Sequence, residues 1–153
     1  MATRFAHTNI IAHDWRKLAK FYTEVFDCIF MPPERNQSGQ WLEDATAVAD
    51  AQLQGVHLLL PGYGETGPTL EIFSYKNNIL GPESVANLTG FGHIAFEVDN
   101  VTASLRKIVD HGGSELGKIV TRQIKDAGLI VFTYAKDPEG NIIELQNWTK
   151  HPA

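Results

Sequence analysis

Residues 90–98 read GFGHIAFEV, and the fold turns on how that stretch is parsed. Successive side chains of a strand point to opposite sides, so Ile94, Phe96 and Val98 share one face while His93, Ala95 and Glu97 share the other. The apolar face is expected to pack on a helix, which leaves an imidazole on the opposite side. The chain opens on the same design: in FAHTNII, residues 5–11, His7 shares its face with Phe5, Asn9 and Ile11. Each of these strands leads into a helix. Asp14 caps the first, which carries Trp15, Leu18, Tyr22, Val25 and Phe26 at helical spacing. The second carries Val101, Leu105, Ile108 and Val109 and stops at Gly112-Gly113. The same offset separates His7 from His93 and Trp15 from Val101.

The rest of each half is read as strands. In the first, Ile29–Met31 is stopped by Pro32-Pro33 and followed by a turn-rich stretch through Ser38-Gly39, then by Val56–Leu60 and Thr69–Tyr75. In the second, Leu116–Ile124, Leu129–Ala135 and Asn141–Trp148 follow, with Asp137-Pro138-Glu139-Gly140 turning into the last. Each half thus reads β-α-β-β-β, an internal repeat of one supersecondary unit; such units pair because neither can bury its apolar face alone. The expected class is α+β. The first module spans residues 5–76, a linker rich in Asn, Gly and Pro spans 77–89, and the second module spans 90–149.

Composition narrows the function. The 153 residues are 43% apolar and 20% charged, the balance of an ordinary globular chain. Thirteen basic against 18 acidic side chains give a net charge of −5, and no run of Lys or Arg offers the footprint a phosphate backbone requires, so no nucleic-acid partner is expected. No segment reaches the roughly 18 apolar residues that span a bilayer, and the first residues lack a signal-peptide core. The expected location is cytoplasmic, with no membrane partner. Cys28 is the only cysteine, which excludes an internal disulfide and a multi-thiolate zinc site. Any metal here must use nitrogen and oxygen ligands.

Strand parity singles out four such ligands. Thr69, Glu71, Phe73 and Tyr75 share a face, as do Ile142, Glu144, Gln146 and Trp148. A carboxylate in the middle of Leu70-Glu71-Ile72 or Ile143-Glu144-Leu145 is costly to bury unless it is paired, hydrogen-bonded or bound to a cation. Taken singly, each has a structural reading: Glu71 and Glu144 could face water, and His7 and His93 could be satisfied core histidines. Together they form a pattern, a His opening the first strand and a Glu in the last strand of each repeat. Pseudo-twofold packing would gather His7, Glu71, His93 and Glu144 around one axis. Two imidazoles and two carboxylates suit a divalent transition metal with positions left for water or substrate.

These segments resemble the vicinal oxygen chelate superfamily, which includes glyoxalase I, methylmalonyl-CoA epimerase, extradiol dioxygenases, and fosfomycin and bleomycin resistance proteins. FAHTNII with DWRKLAKFYTEVFDC is similar to its first strand and helix, GFGHIAFEVDNV to the start of its second module, and KDPEGNIIEL to its last hairpin. The resemblance runs from Phe5 to about Trp148. It implies two tandem βαβββ modules forming open, barrel-like mixed sheets around a metal site, with one divalent ion, Ni, Co, Zn, Fe or Mn, per site. It also implies a small-molecule substrate and a homodimer. The set His7, Glu71, His93, Glu144 is closest to that of bacterial glyoxalase I, a lyase or isomerase whose enediolate or enolate chemistry relies on a carboxylate base. By resemblance Glu144 could leave the metal as that base, with Glu71 as the other carboxylate.

Two departures from that pattern stand out. Similar bacterial enzymes carry an arginine and an asparagine four residues after the first and second ligands, where this chain has Ile11 and Tyr75. An apolar side chain cannot replace a guanidinium that binds a carboxylate, which argues against glutathione hemithioacetal as substrate. His57 falls about where the epimerase has a base glutamate, and an imidazole there could act as acid or base; a rim histidine that is merely hydrogen-bonded fits as well. Tyr63, Tyr75, Phe73 and Trp148 could line a cavity for an apolar or aromatic substrate, and Trp41 could lid it. His13, His111 and His151 are expected to face solvent. Rival readings are an extradiol-type dioxygenase using His7, His93 and Glu144, and a metal-free binding protein of bleomycin-resistance type.

Overall fold

The computed structural model describes residues 2–150, and the chain divides into two compact units between Gly81 and Pro82. His151 lies outside the described residues.

The first unit runs β1 (His7–Ile11), α1 (Trp15–Phe26), β2 (Ile29–Ser38), α2 (Gln40–Thr46), β3 (Gln52–Leu59) and β4 (Thr69–Tyr75). Its four-stranded sheet has the order β1-β4-β3-β2, with β1 and β4 parallel and the other neighbours antiparallel. The Asp14 carboxylate accepts from the Lys17 N–H at 3.1 Å and caps α1. The helix buries Trp15, Leu18, Tyr22 and Val25 against β3 and β4. Val56, Leu58, Leu70 and Ile72 meet it from the sheet, all buried. Alternation then sends Glu71 and His57 to the opposite face.

Two expectations for this unit change. The strand beginning at Ile29 does not stop at Pro32-Pro33; it shifts register between Met31 and Arg35 and pairs with β3 again to Ser38. A proline has no N–H to give a ladder, but β2 is an edge strand, where an irregularity can absorb it. The turn-rich stretch contains α2, entered through Gly39 at φ 108° and burying only Leu42. Seven residues with one buried side chain give no readable period. Trp41 sits on this helix, exposed.

The second unit runs β5 (Ile94–Glu97), α3 (Val101–Asp110), β6 (Ser114–Glu115), β7 (Val120–Ile124), β8 (Gly128–Lys136) and β9 (Ile142–Thr149). The five-stranded sheet has the order β5-β9-β8-β6, with β7 also pairing β8. As in the first unit, the opening strand lies parallel to the closing one. Asn100 caps α3 through the Ala103 N–H, and Gly112, at φ 91°, ends it. Ile108, Ile143 and Leu145 are fully buried, whereas Val109 is exposed. Of the strand expected over Leu116–Ile124 only Val120–Ile124 forms, as β7, and the two-residue β6 lies just ahead of that span. Leu116 and Gly117 both donate to the Tyr134 carbonyl, so the chain leaves the ladder there and rejoins it at Val120.

Both sheets are mixed, and neither closes into a barrel. Among the described residues no helix is long and apolar enough to cross a membrane.

Candidate metal centre

In the first unit, registry brings three of the expected residues together. The β3–β4 pairing sets His57 directly opposite Glu71, and the β1–β4 pairing sets Asn9 beside it. His7 Nε2 lies 3.2 Å from Glu71 Oε2, which also accepts from Asn9 Nδ2 at 3.3 Å. His57 Nε2 lies 2.9 Å from Glu71 Oε1. The Glu71 side chain is only 12% exposed, so these contacts are what makes its burial tolerable. Burial holds the His57 imidazole below its usual pKa; the charges of Arg35 and His7 add to this and the Glu71 carboxylate opposes it.

The second unit carries one such pair. His93 Nε2 lies 2.9 Å from Glu144 Oε2. His93 immediately precedes β5, and Ala95 of that strand is the registry partner of Glu144. Tyr134 on β8 stands opposite Glu144, with its ring 5.1 Å edge-on from that of His93. Burial raises the Tyr134 phenol above its usual pKa, and the Glu144 charge adds to this.

The geometry of each pair suits neighbouring ligands on one ion. Two donors bound at about 2.1 Å and at right angles are about 3 Å apart, and the His–Glu separations are 2.9 and 3.2 Å. The donor chemistry, neutral imidazole and carboxylate, is that of divalent transition metals. Among the described residues no group of three or more His, Cys, Asp or Glu side chains is arranged to hold an ion.

Other expected residues divide. Phe73 and Tyr75 share the Glu71 face and pack against Leu42, Ala51 and Leu53, while Tyr63 stands exposed in the β3–β4 connection. Trp148 lies on the Glu144 face, with its indole N–H donating to Gln146 at 3.0 Å. Ile11 is 48% exposed on the His7 face. His13 and His111 are exposed. The sequence reading passed over Tyr134, although counting back from Glu144 through the Asp137–Asn141 turn reaches it.

A parallel first and last strand around a helix, occurring twice, each time with a His–Glu pair on the face away from that helix, defines a class of α+β protein built from a duplicated unit. The sequence profile of the Glyoxalase/Bleomycin resistance protein/Dioxygenase superfamily matches residues 4–145, and the chain belongs to that superfamily. A probable lactoylglutathione lyase from Vibrio parahaemolyticus is 28% identical over 144 residues, covering 93% of this chain and 88% of that protein. A glyoxalase family protein from Bacillus cereus shares the fold with a TM-score of 0.74 at 16% identity, over 95% of this chain and 93% of the other. A fosfomycin resistance protein from Listeria monocytogenes, solved with Mn(II) and sulfate, shares it with a TM-score of 0.54 at 16% identity, over 97% and 95%.

Proposed function

We propose that the protein is a divalent-metal-dependent lyase or isomerase of glyoxalase I type, with His7, Glu71, His93 and Glu144 as its metal ligands. The observation that carries this reading is the repeated pair: an imidazole and a carboxylate, 2.9 and 3.2 Å apart, on equivalent parallel strand pairs of two units. The lactoylglutathione lyase relative supports the same chemistry. When bound, Ni, Co, Zn, Fe or Mn supplies Lewis acidity that stabilises charge on substrate oxygens.

The chain's own groups then move the proton. A carboxylate takes it from a carbon next to a carbonyl and returns it to the adjacent carbon. Glu144 suits that task, because among the described residues of its unit only Oε2 is engaged, by His93. Glu71 has both oxygens engaged, by His7 and Asn9 on one and His57 on the other. The substrate is a small carbonyl or acyl compound. Glutathione hemithioacetal does not fit, since Ile11 gives its thiol-tripeptide carboxylate no guanidinium.

The test is elemental analysis after loading with each of these ions, on the wild type, Glu71→Ala and Glu144→Ala, with NMR detection of deuterium uptake into 2-oxo and 2-hydroxycarbonyl compounds. Stoichiometric metal in the wild type, its loss in both variants and metal-dependent exchange are expected. A wild type that binds no divalent ion under any loading condition refutes the reading, and oxygen uptake with catechols would assign the site to a dioxygenase instead.

A further inference from the structure

We propose that His57 is a positioning residue that fixes Glu71 as a one-oxygen metal ligand, a clamp the second unit lacks. This rests on the metal reading above. His7, not His57, is the counterpart of His93 in the repeat, so the 2.9 Å His57 contact is taken as a hydrogen bond, which His57 Nε2 donates because a carboxylate only accepts. That N–H occupies Oε1 and leaves Oε2, 3.2 Å from His7 Nε2, to bind the ion.

The His57 ring is itself held from both sides of Glu71. Two residues before it, the Thr69 hydroxyl lies 3.4 Å from Nδ1. Two residues after it, the Phe73 ring stands edge-on at 5.8 Å. Phe73 reaches that place because its registry partner is Gly55, where a Cβ would come within 2.4 Å of Phe73 Cδ1. Thr69, Glu71 and Phe73 are successive residues on one face of β4, so they bracket the imidazole from a single rigid strand.

The second unit provides the internal comparison. Tyr134 stands opposite Glu144 as His57 stands opposite Glu71. Tyr134 turns its ring to His93, and among the described residues it makes no hydrogen bond to Glu144. The same strand framework therefore holds one carboxylate by both oxygens and the other by one. Outer partners of this kind change metal affinity by roughly 10- to 100-fold when removed.

The experiment titrates the metal-free full chain with Co(II) alone and follows the visible d–d bands, with circular dichroism to confirm folding. His57→Ala is expected to weaken Co(II) binding roughly 10- to 100-fold and to change the band pattern. His57→Gln, whose amide N–H can still meet Oε1, should recover most of the affinity and the wild-type spectrum. Thr69→Val, which keeps the shape but not the hydroxyl, should weaken binding by a smaller factor. If wild type binds Co(II) stoichiometrically and His57→Ala matches it in affinity and spectrum, the clamp is wrong and the metal reading stands. The clamp is equally wrong if His57→Gln is as weak as His57→Ala. If wild type gives no stoichiometric complex, the metal reading fails and the clamp falls with it.

Discussion

Gly55→Ala would test the packing behind Glu71. Gly55 has no left-handed backbone that would exclude alanine, so the cost is steric. An added Cβ would lie 2.1 Å from the Ile72 carbonyl oxygen, 2.4 Å from Phe73 Cδ1 and 2.8 Å from Phe73 Cα. Ordinary contacts between such atoms are about 3.5 Å or more, so each must retreat. The Phe73 ring can turn, but the carbonyl and Cα belong to β4 and cannot move without opening the β3–β4 ladder. Overpacking costs about 1–3 kcal/mol, a lost ladder bond about 1 kcal/mol, and alanine returns about 0.5–1 kcal/mol of backbone entropy. The net destabilisation is about 1–3.5 kcal/mol, a large part of a typical domain's stability. Equilibrium urea unfolding should show this as a lower midpoint at an unchanged slope. A Gly55→Ala protein within about 0.5 kcal/mol of wild type would mean that the close approach of β3 and β4 is not a constraint and does not seat Phe73.

Two further outcomes test other parts of the fold. Burial, with the Asp27 charge adding to it, pushes the Cys28 thiol up to about 12 from an ordinary 9.0. Its folded-state pKa is raised, so it leaves stability unaffected below about pH 9 and removes up to about 1.4 kcal/mol per pH unit between about 9 and 12, as only the unfolded thiol ionises. Urea midpoints measured from pH 8 to 10 should fall more steeply for wild type than for Cys28→Ala, and parallel slopes would contradict this. The buried Asp137 carboxylate accepts from the Glu139 and Asn141 N–H groups at 2.9 and 3.0 Å and from Asn141 Nδ2 at 2.8 Å. Asp137→Ala orphans these donors and should cost about 3 kcal/mol in urea unfolding, and Asp137→Asn distinctly less; equal losses would show that the turn ahead of Glu144 does not depend on that acceptor.

Much of the framework is legible in the sequence because it rests on period and caps. Thr69–Tyr75 reads as a strand between Gly/Pro-rich turns and is one, and Asp14 both looks like a cap and acts as one. Glu71 and Glu144 stand out because each interrupts an apolar run. What escapes the sequence depends on pairing between segments. Whether β2 continues past Pro32-Pro33 is decided by its place at the sheet edge, and the break after Glu115 by competition for one carbonyl of β8. The sequence likewise puts His57 within a strand but says nothing of which cross-strand residue it meets. Registry decides that, and registry follows from the whole β3–β4 connection.

The two His–Glu pairs are therefore alike in backbone and unlike in surroundings, and the difference bears on the chemistry. To accept a proton from carbon, a carboxylate must present a lone pair at an oxygen that can approach the substrate. For Glu71 that would mean giving up either the 2.9 Å bond from His57 at Oε1 or the contacts from His7 and Asn9 at Oε2. Breaking one charge-assisted hydrogen bond in a half-buried setting costs about 1.5–3 kcal/mol, which corresponds to a rate loss of roughly tenfold or more before any chemistry begins. Glu144 avoids that cost at Oε1, since its cross-strand neighbour Tyr134 points its ring at His93. Under the proposed function, a duplicated strand pair that differs at its cross-strand positions, His57 and Asn9 against Tyr134 and Ala95, gives Glu71 the surroundings of a fixed ligand and Glu144 those of a base.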